Sequence, residues 1–317
     1  MLAWVSGGAA GTILGYVLQR GNLCFHSAWR GVIERRPQLF SAWLLGVAIA
    51  SVGLAGLYAV SGSDLNRGLA FTPVGNVAGG VLIGVGMVVA ATCASGLFVK
   101  LGSGMLGGLV GIAGWALGEY AVRDLDLRGP QVLAGGDPAT VAAVVGVPRI
   151  VPAVALLAGA VGVVVLVRRR DDASVRPPWQ WGAPLLGTML GAATLVSWAL
   201  ADLGDATFGP STVGAVRALA AGAPAAWLTA FLGALVLGSL IAARTAGGLF
   251  VRGEPSRRYV GLAIGGFLLG SGGWIAGGCN LGHGLSGTAQ LNVSSWVVVA
   301  SIIGGIALAR TVTASWR

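Results

Sequence analysis

The chain has 317 residues, of which 55% are hydrophobic and only 10% are charged, and its formal net charge is +9. A soluble domain carries about 25% charged residues, so this composition excludes a water-soluble globular protein and indicates a protein surrounded by membrane lipid. Most basic residues stand at the ends of apolar segments, where membrane topology accounts for them, and the positive charge therefore does not indicate a nucleic-acid partner.

Runs of about 20 apolar residues predict nine transmembrane helices, so the expected fold class is an all-α polytopic membrane protein. The first run has no basic residue before it and no clear cleavage site, and we interpret it as a retained helix. Short breaks rich in glycine and serine follow spans one, three, six and eight. The predicted spans are 2–18, 40–60, 74–91, 104–122, 140–167, 181–201, 225–243, 259–275 and 294–309.

The basic residues also predict the orientation. The loops after odd-numbered spans and the C-terminal tail hold fourteen of them, and the loops after even-numbered spans hold five. Because basic residues favour the cytoplasmic side, we expect the N-terminus outside and the C-terminus in the cytoplasm. The fourteen are Arg30, Arg35, Arg36, Lys100, Arg168, Arg169, Arg170, Arg176, Arg244, Arg252, Arg257, Arg258, Arg310 and Arg317, and the five are Arg67, Arg123, Arg128, Arg149 and Arg217.

One stretch of the sequence occurs twice, 186 residues apart. Residues 79–96 read GGVLIGVGMVVAATCASG and residues 265–282 read GGFLLGSGGWIAGGCNLG, with eight of the 18 positions identical. Because five spans separate the copies, they point in opposite directions across the membrane. This predicts an inverted repeat with halves 1–170 and 171–317, of the kind that meets near the bilayer midplane in transporters, where broken helices line the substrate path.

All three cysteines lie in glycine-containing breaks. Cys93 and Cys279 occupy equivalent positions of the repeat, and Cys24 follows the first span in QRGNLCFHS; the corresponding break at 208–212 has no cysteine. A disulfide is not expected, because the predicted topology puts Cys279 on the opposite side from the other two. A metal site is not expected either, because no closely spaced ligand pair such as C-x₂-C occurs. A buried cysteine can simply be a small apolar residue, but three in comparable breaks favour a function.

Three segments resemble the YeeE/YedE family of sulfur-transport membrane proteins, in particular its thiosulfate-uptake members. They are RGNLCF around Cys24, GVGMVVAATCASG around Cys93 and GGCNLGHGLSG around Cys279, and the resemblance covers nearly the whole chain. It implies an hourglass-shaped transporter of the bacterial inner membrane, with short re-entrant helices at a narrow waist and cysteines that contact the terminal sulfur of thiosulfate. It also implies a small cytoplasmic sulfurtransferase-like partner of the SirA/TusA type. The chain departs from the family at Ala91-Thr92, where two glycines are common.

The residue types suit thiosulfate, a dianion with a hard oxyanion end and a soft sulfur end. A thiol is a weak donor and a weak acceptor, and N–H groups exposed at helix starts favour negative charge. Further candidates for the path supply donors or positive charge; they are Arg20, His26, Ser95, His283, Ser286 and Gln290. For His283 the alternative is a cap on a short helix, and for Arg20 and His26 it is contact with backbone carbonyls or lipid phosphate.

Catalysis is not expected, because the sequence offers no paired carboxylates within the bundle, no phosphate-binding loop and no Ser/His/Asp arrangement. We therefore predict a transporter without a cofactor, in which Glu119 is the one intramembrane carboxylate that stands out. Two alternatives stay open. One is a transporter of another sulfur or selenium compound, and the other is a membrane sulfurtransferase in which a cysteine forms a persulfide.

Overall fold

The computed structural model describes residues 1–61, 68–168 and 181–314, and throughout these ranges the regular secondary structure is helical apart from isolated bridges. Five basic residues used to predict the orientation lie outside the described residues, namely Arg67, Arg169, Arg170, Arg176 and Arg317. The α-helices of the described ranges are α1 (Leu2–Arg20), α2 (Phe25–Ile33), α3 (Gln38–Ser61), α4 (Pro73–Ala90), α5 (Ala94–Gly102), α6 (Gly107–Val122), α7 (Val141–Val145), α8 (Ile150–Arg168), α9 (Ala183–Leu203), α10 (Ala215–Ala220), α11 (Ala226–Thr245), α12 (Ser256–Ala276) and α13 (Val293–Ala314).

Seven helical stretches of the described residues are long and apolar enough to cross a membrane, so the chain is a polytopic helical membrane protein. They correspond to predicted spans two, three and five to nine. Helices α1 and α6 coincide with spans one and four but are not among the seven. The 16 residues of α6 extend for about 24 Å at 1.5 Å per residue, less than the hydrocarbon core of about 30 Å. The count of nine spans stays a prediction.

The breaks that contain Cys93 and Cys279 begin with the same backbone turn. Helix α4 ends before Ala91, which has a φ of 44°, and α12 ends before Gly277, which has a φ of 81°. These two positions are also 186 residues apart. The left-handed conformation ends each helix, and a short helical element follows it. That element is α5 after Cys93 and a π-helical turn, Gly282–Gly287, after Cys279.

Helices α4 and α12 pack closely through glycines at the centre of the bundle. Gly79 lies against the backbone of Ala276, and Gly265 lies against the backbone of Ala90, where an added Cβ would come within 2.5 Å of the amide nitrogen. The two contacts are related by the offset of 186 residues. Small residues let helix backbones approach in lipid, where helices gain little from burying apolar surface against each other.

The other helices surround this central pair in matching sets. Helix α4 also packs on α13, and α12 packs on α6. Next to them, α1 packs on α11 and on α9, and α3 packs on α9 and α8. The segment between α6 and α8 covers one end of the bundle, where the Val141 N–H donates to the Leu291 carbonyl at 2.8 Å and the Gly75 N–H donates to the Arg128 carbonyl at 3.0 Å.

We expect Gly265→Val to destabilise the protein strongly, because the new side chain would meet the Ala90 backbone and separate α4 from α12. Overpacking of this kind costs about 1–3 kcal/mol or more. Gly304→Val is the matched control, since a Cβ at Gly304 in α13 has nothing within 4 Å. The measurement is the thermal unfolding of the purified proteins in detergent. Equal melting temperatures for the two variants would contradict the importance of this helix contact.

Candidate functional site

Cys93 caps the start of α5 with its thiol. The Gly96 N–H donates to Cys93 Sγ at 3.3 Å, and Ser95 Oγ lies 3.3 Å from the same sulfur. The thiol thus takes the place of the side-chain oxygen that usually caps a helix. Only 1% of Cys93 is exposed, so a soft sulfur atom is held in a fixed position inside the protein.

Cys24 brings a second thiol to the same place. It precedes α2 as its N-cap, is half-buried, and packs against the buried cluster that includes Cys93. His26 follows two residues later in the buried part of α2. Lys100 lies close enough to add positive potential at Cys24, and its Nζ donates to the Ala91 carbonyl at 3.2 Å. The structure therefore brings four predicted site residues together, namely Cys24, His26, Cys93 and Ser95.

Lys100 is a candidate site residue that the sequence analysis missed. It was counted only among the basic residues that predict the orientation. It follows Cys93 by seven residues, which is close to two turns of an α-helix, so both side chains lie on the same face of α5. This spacing is the signal in the sequence that would have found it.

Cys279 lies in the break between α12 and the π-helical turn. The Leu281 N–H donates to Cys279 Sγ at 3.3 Å, and the residue is 1% exposed. It belongs to the same buried cluster as Cys93, and Cys24 packs against that cluster. All three cysteines are free, and no group of histidines, cysteines and carboxylates among the described residues is arranged to hold a metal ion.

Asn280, the residue after Cys279, connects the breaks and was also missed. Trp29 Nε1 donates to Asn280 Oδ1 at 2.8 Å, and Asn280 Nδ2 donates to Met87 Sδ at 3.6 Å. Trp29 belongs to α2 and Met87 to α4, and all three residues are 0% exposed. A buried amide in an apolar break was the available signal, because such a group must find polar partners.

His283 is fully buried, with both ring nitrogens bonded inside the protein. Nε2 lies 2.8 Å from the Ala276 carbonyl and Nδ1 lies 3.0 Å from Ser295 Oγ. Because a carbonyl only accepts, Nε2 carries the proton and Nδ1 accepts from the Ser295 hydroxyl. The Ala276 carbonyl is the last of α12, so this geometry favours the capping alternative for His283.

Gln290 bonds to residues other than the cysteines, and Arg20 lines a separate cavity. Gln290 Oε1 accepts from the Tyr58 hydroxyl at 2.6 Å, and its carbonyl accepts from Arg149 at 3.2 Å. Arg20 lines a cavity of about 180 Å³ beside the end of α11, and none of the cysteines lines that cavity. Both residues thus have surroundings different from those of the thiols.

A larger cavity of about 340 Å³ borders the Cys279 break, at the end of the bundle where α1 and α11 begin. Gly277 and Ser211 line it, and a Cβ added at Gly282 would lie 3.0 Å from Ser211 Oγ. The Ser286 hydroxyl donates to the Pro210 carbonyl at 2.6 Å, which joins the π-helical turn to the wall of the cavity. Its volume is within the range of small-ligand pockets, about 300–1,000 Å³.

Glu119 is buried near the same end of the bundle. Its Oε1 accepts from the Gly214 N–H at 2.9 Å, and its Oε2 has no hydrogen-bond partner among the described residues. The carboxyl group therefore ties α6 to the segment before α10. Because Val213 of that segment lines the 340 Å³ cavity, Glu119 supports one wall of it.

Comparison with known proteins identifies the family. Residues 20–308 match the sequence pattern of a family described as sulphur transport. Two similar proteins are both named thiosulfate transporter TsuA. The one from Escherichia coli is 27% identical over 341 aligned positions, covering 98% of this chain and 94% of that protein. The one from Spirochaeta thermophila is 28% identical over 326 positions, covering 93% and 94%. Because the family pattern spans most of the chain, this protein belongs to the sulphur transport family.

Proposed function

We propose that this protein takes up thiosulfate across the bacterial inner membrane, along a path in which Cys279, Cys93 and then Cys24 contact the terminal sulfur. The observation that carries the proposal is that Cys24 packs against the buried cluster that contains both Cys93 and Cys279, although the three thiols come from separate breaks. The relatives named thiosulfate transporters, aligned over nearly the whole chain, support the substrate.

The surroundings of the thiols suit both ends of thiosulfate. A thiol donates and accepts weakly, so it can contact the terminal sulfur without forming a covalent bond. Lys100 and the N–H groups at the start of α5 supply positive potential for the oxyanion end. Cys24 is more exposed than Cys93, which suits a thiol at the cytoplasmic exit. A small sulfurtransferase of the SirA/TusA type is the proposed acceptor there.

We also propose the inverted repeat and the nine spans as the framework of this path. The mirrored contacts of Gly79 with Ala276 and of Gly265 with Ala90 support it. The packing of α4 on α13 and of α12 on α6 supports it again at the level of helices. In this arrangement α2, α5 and the π-helical turn are the re-entrant elements of an hourglass, and the 340 Å³ cavity is its outer mouth.

Replacing Cys93 with alanine tests the path. We expect thiosulfate uptake to fall about tenfold or more, as removal of one contact worth about 1.4 kcal/mol would cause. Met189→Ala, which removes a sulfur-bearing side chain from α9, is the matched control. The assay is thiosulfate-dependent growth and uptake in a bacterial strain without its own sulfate and thiosulfate uptake, with and without a SirA/TusA-like protein. Wild-type uptake by a well-expressed Cys93→Ala variant would refute the cysteine path.

The orientation is tested at two exposed positions in a background without the native cysteines. We expect Leu125→Cys, in the loop after α6, to react with a membrane-impermeant thiol reagent on intact spheroplasts. Phe250→Cys, in the loop after α11, should react only after the membrane is opened. Leu125 is 54% exposed and Phe250 is 69% exposed, so both sites are accessible. The reverse labelling pattern would overturn the proposed direction of the path.

Replacing His283 with alanine should mainly reduce stability. The change leaves the Ser295 hydroxyl without this partner at a buried site, which costs about 1–3 kcal/mol. The Ala276 carbonyl loses one donor and keeps the Asn76 side chain as the other. Ser295→Ala, which removes one of the two bonds, should have a smaller effect. Thermal unfolding in detergent and the half-saturation concentration for uptake are measured for both variants and for the wild type. A raised half-saturation concentration at unchanged stability would instead support anion binding by His283.

A further inference from the structure

Asn280 lies where the structural elements next to all three cysteines meet. It follows Cys279 directly, and its side chain bonds to Trp29 of α2 and Met87 of α4. Helix α2 begins after Cys24, and α4 ends just before the break that holds Cys93. The Asn280 side chain thus links the Cys279 break to the helices that adjoin the other two breaks.

Trp29 fixes the direction in which the Asn280 amide points. An indole N–H can only donate, so the atom 2.8 Å from it must be the amide oxygen. The amide nitrogen is then directed towards Met87. The Trp29 ring is itself held by Trp43 and Phe40, with ring centroids 4.6 and 6.0 Å away, so the indole is a rigid support for the amide.

The amide nitrogen keeps hydrogen-bonding capacity that the protein does not use fully. It carries two N–H groups, and its partner among the described residues is the Met87 thioether at 3.6 Å. A thioether is a weak acceptor, whereas a buried donor normally has a strong partner. A strong acceptor that reached this place would therefore bind there at little cost to existing contacts.

Asn76, another fully buried asparagine, shows the contrast. Its Nδ2 donates to the Ala276 carbonyl at 2.8 Å, and its Oδ1 accepts from the Thr72 N–H at 2.9 Å. Both ends of that side chain have strong backbone partners, as expected of a residue with a purely structural role. The Asn280 amide nitrogen has no comparable acceptor in the part of the chain that the structure describes.

We propose that Asn280 binds the substrate by donating hydrogen bonds to the oxyanion end of thiosulfate, and that Trp29 positions it for this. This inference rests on the proposed function. The oxygens of thiosulfate only accept and carry negative charge, so they are much stronger acceptors than the Met87 sulfur. With the oxyanion held at Asn280, the terminal sulfur is left to the thiols of Cys279 and Cys93, and Met87 adds a polarizable apolar surface.

The test compares Asn280→Leu, Trp29→Phe and the double variant with the wild type in initial rates of thiosulfate uptake. Asn280→Leu keeps the branched arrangement of side-chain heavy atoms and removes the donor, so we expect KM to rise about tenfold, since a hydrogen bond to a charged group contributes at least that factor. Trp29→Phe frees the amide to turn, and KM should rise about threefold. The double variant should match Asn280→Leu, because Trp29 acts through Asn280.

If Asn280→Leu alone does not fold, the double variant still allows the test. It removes both polar partners together, which is much less destabilising than leaving the Trp29 N–H unpaired. Asn76→Leu is the control for loss of a buried amide, and it should lower the melting temperature and leave KM unchanged. Folded Asn280→Leu or double variants with wild-type KM would overturn the inference, as would additive effects of the two substitutions. Absence of thiosulfate uptake by the wild type would instead refute the proposed function.

Discussion

The close contact between α4 and α12 is the constraint on which the rest of the structure depends. Each helix uses a glycine to reach the backbone at the end of the other, Gly79 at Ala276 and Gly265 at Ala90. The breaks that carry Cys93 and Cys279 begin within three residues of those contacts. Irregular backbone at membrane depth is stable only inside the protein or beside a polar cavity, and the central position of the two helices provides that shelter.

A basic side chain bonds to a carbonyl at the end of α4 and another does so at the end of α12, but the two residues differ in type. Lys100 donates to the Ala91 carbonyl after α4, and His283 bonds to the Ala276 carbonyl at the end of α12. The lysine adds positive potential near Cys24 and Cys93, and near His283 the Arg128 guanidinium donates to the Trp274 carbonyl of α12 at 2.9 Å. Both breaks of the proposed path therefore have a positively charged side chain close by.

The sequence predicted the apolar helices and the breaks because these depend on local composition and on the repeat. It did not predict the site contacts, because these join residues far apart in the chain: Trp29 and Asn280 are 251 residues apart. It also grouped Arg20 and Gln290 with the cysteines; in the structure Gln290 bonds to Tyr58, and Arg20 lines a cavity that none of the cysteines lines. Spans one and four were predicted from apolar character alone. Helix α6 corresponds to span four and has only 16 residues, a length that apolar character does not predict.

The chain departs from the resembling family at Ala91-Thr92, where two glycines are common, and the structure gives the consequence of the alanine. Ala91 has the left-handed backbone, with φ 44°, that Gly277 adopts in the other copy. For an alanine this conformation costs about 1–2 kcal/mol, but Ala91 is exposed, so its methyl group displaces no packed neighbour. The carbonyl of the strained residue accepts from Lys100, and Cys93 still caps α5 two residues later. The alanine therefore alters the stability of the turn, and Cys93 keeps its place as the cap of α5.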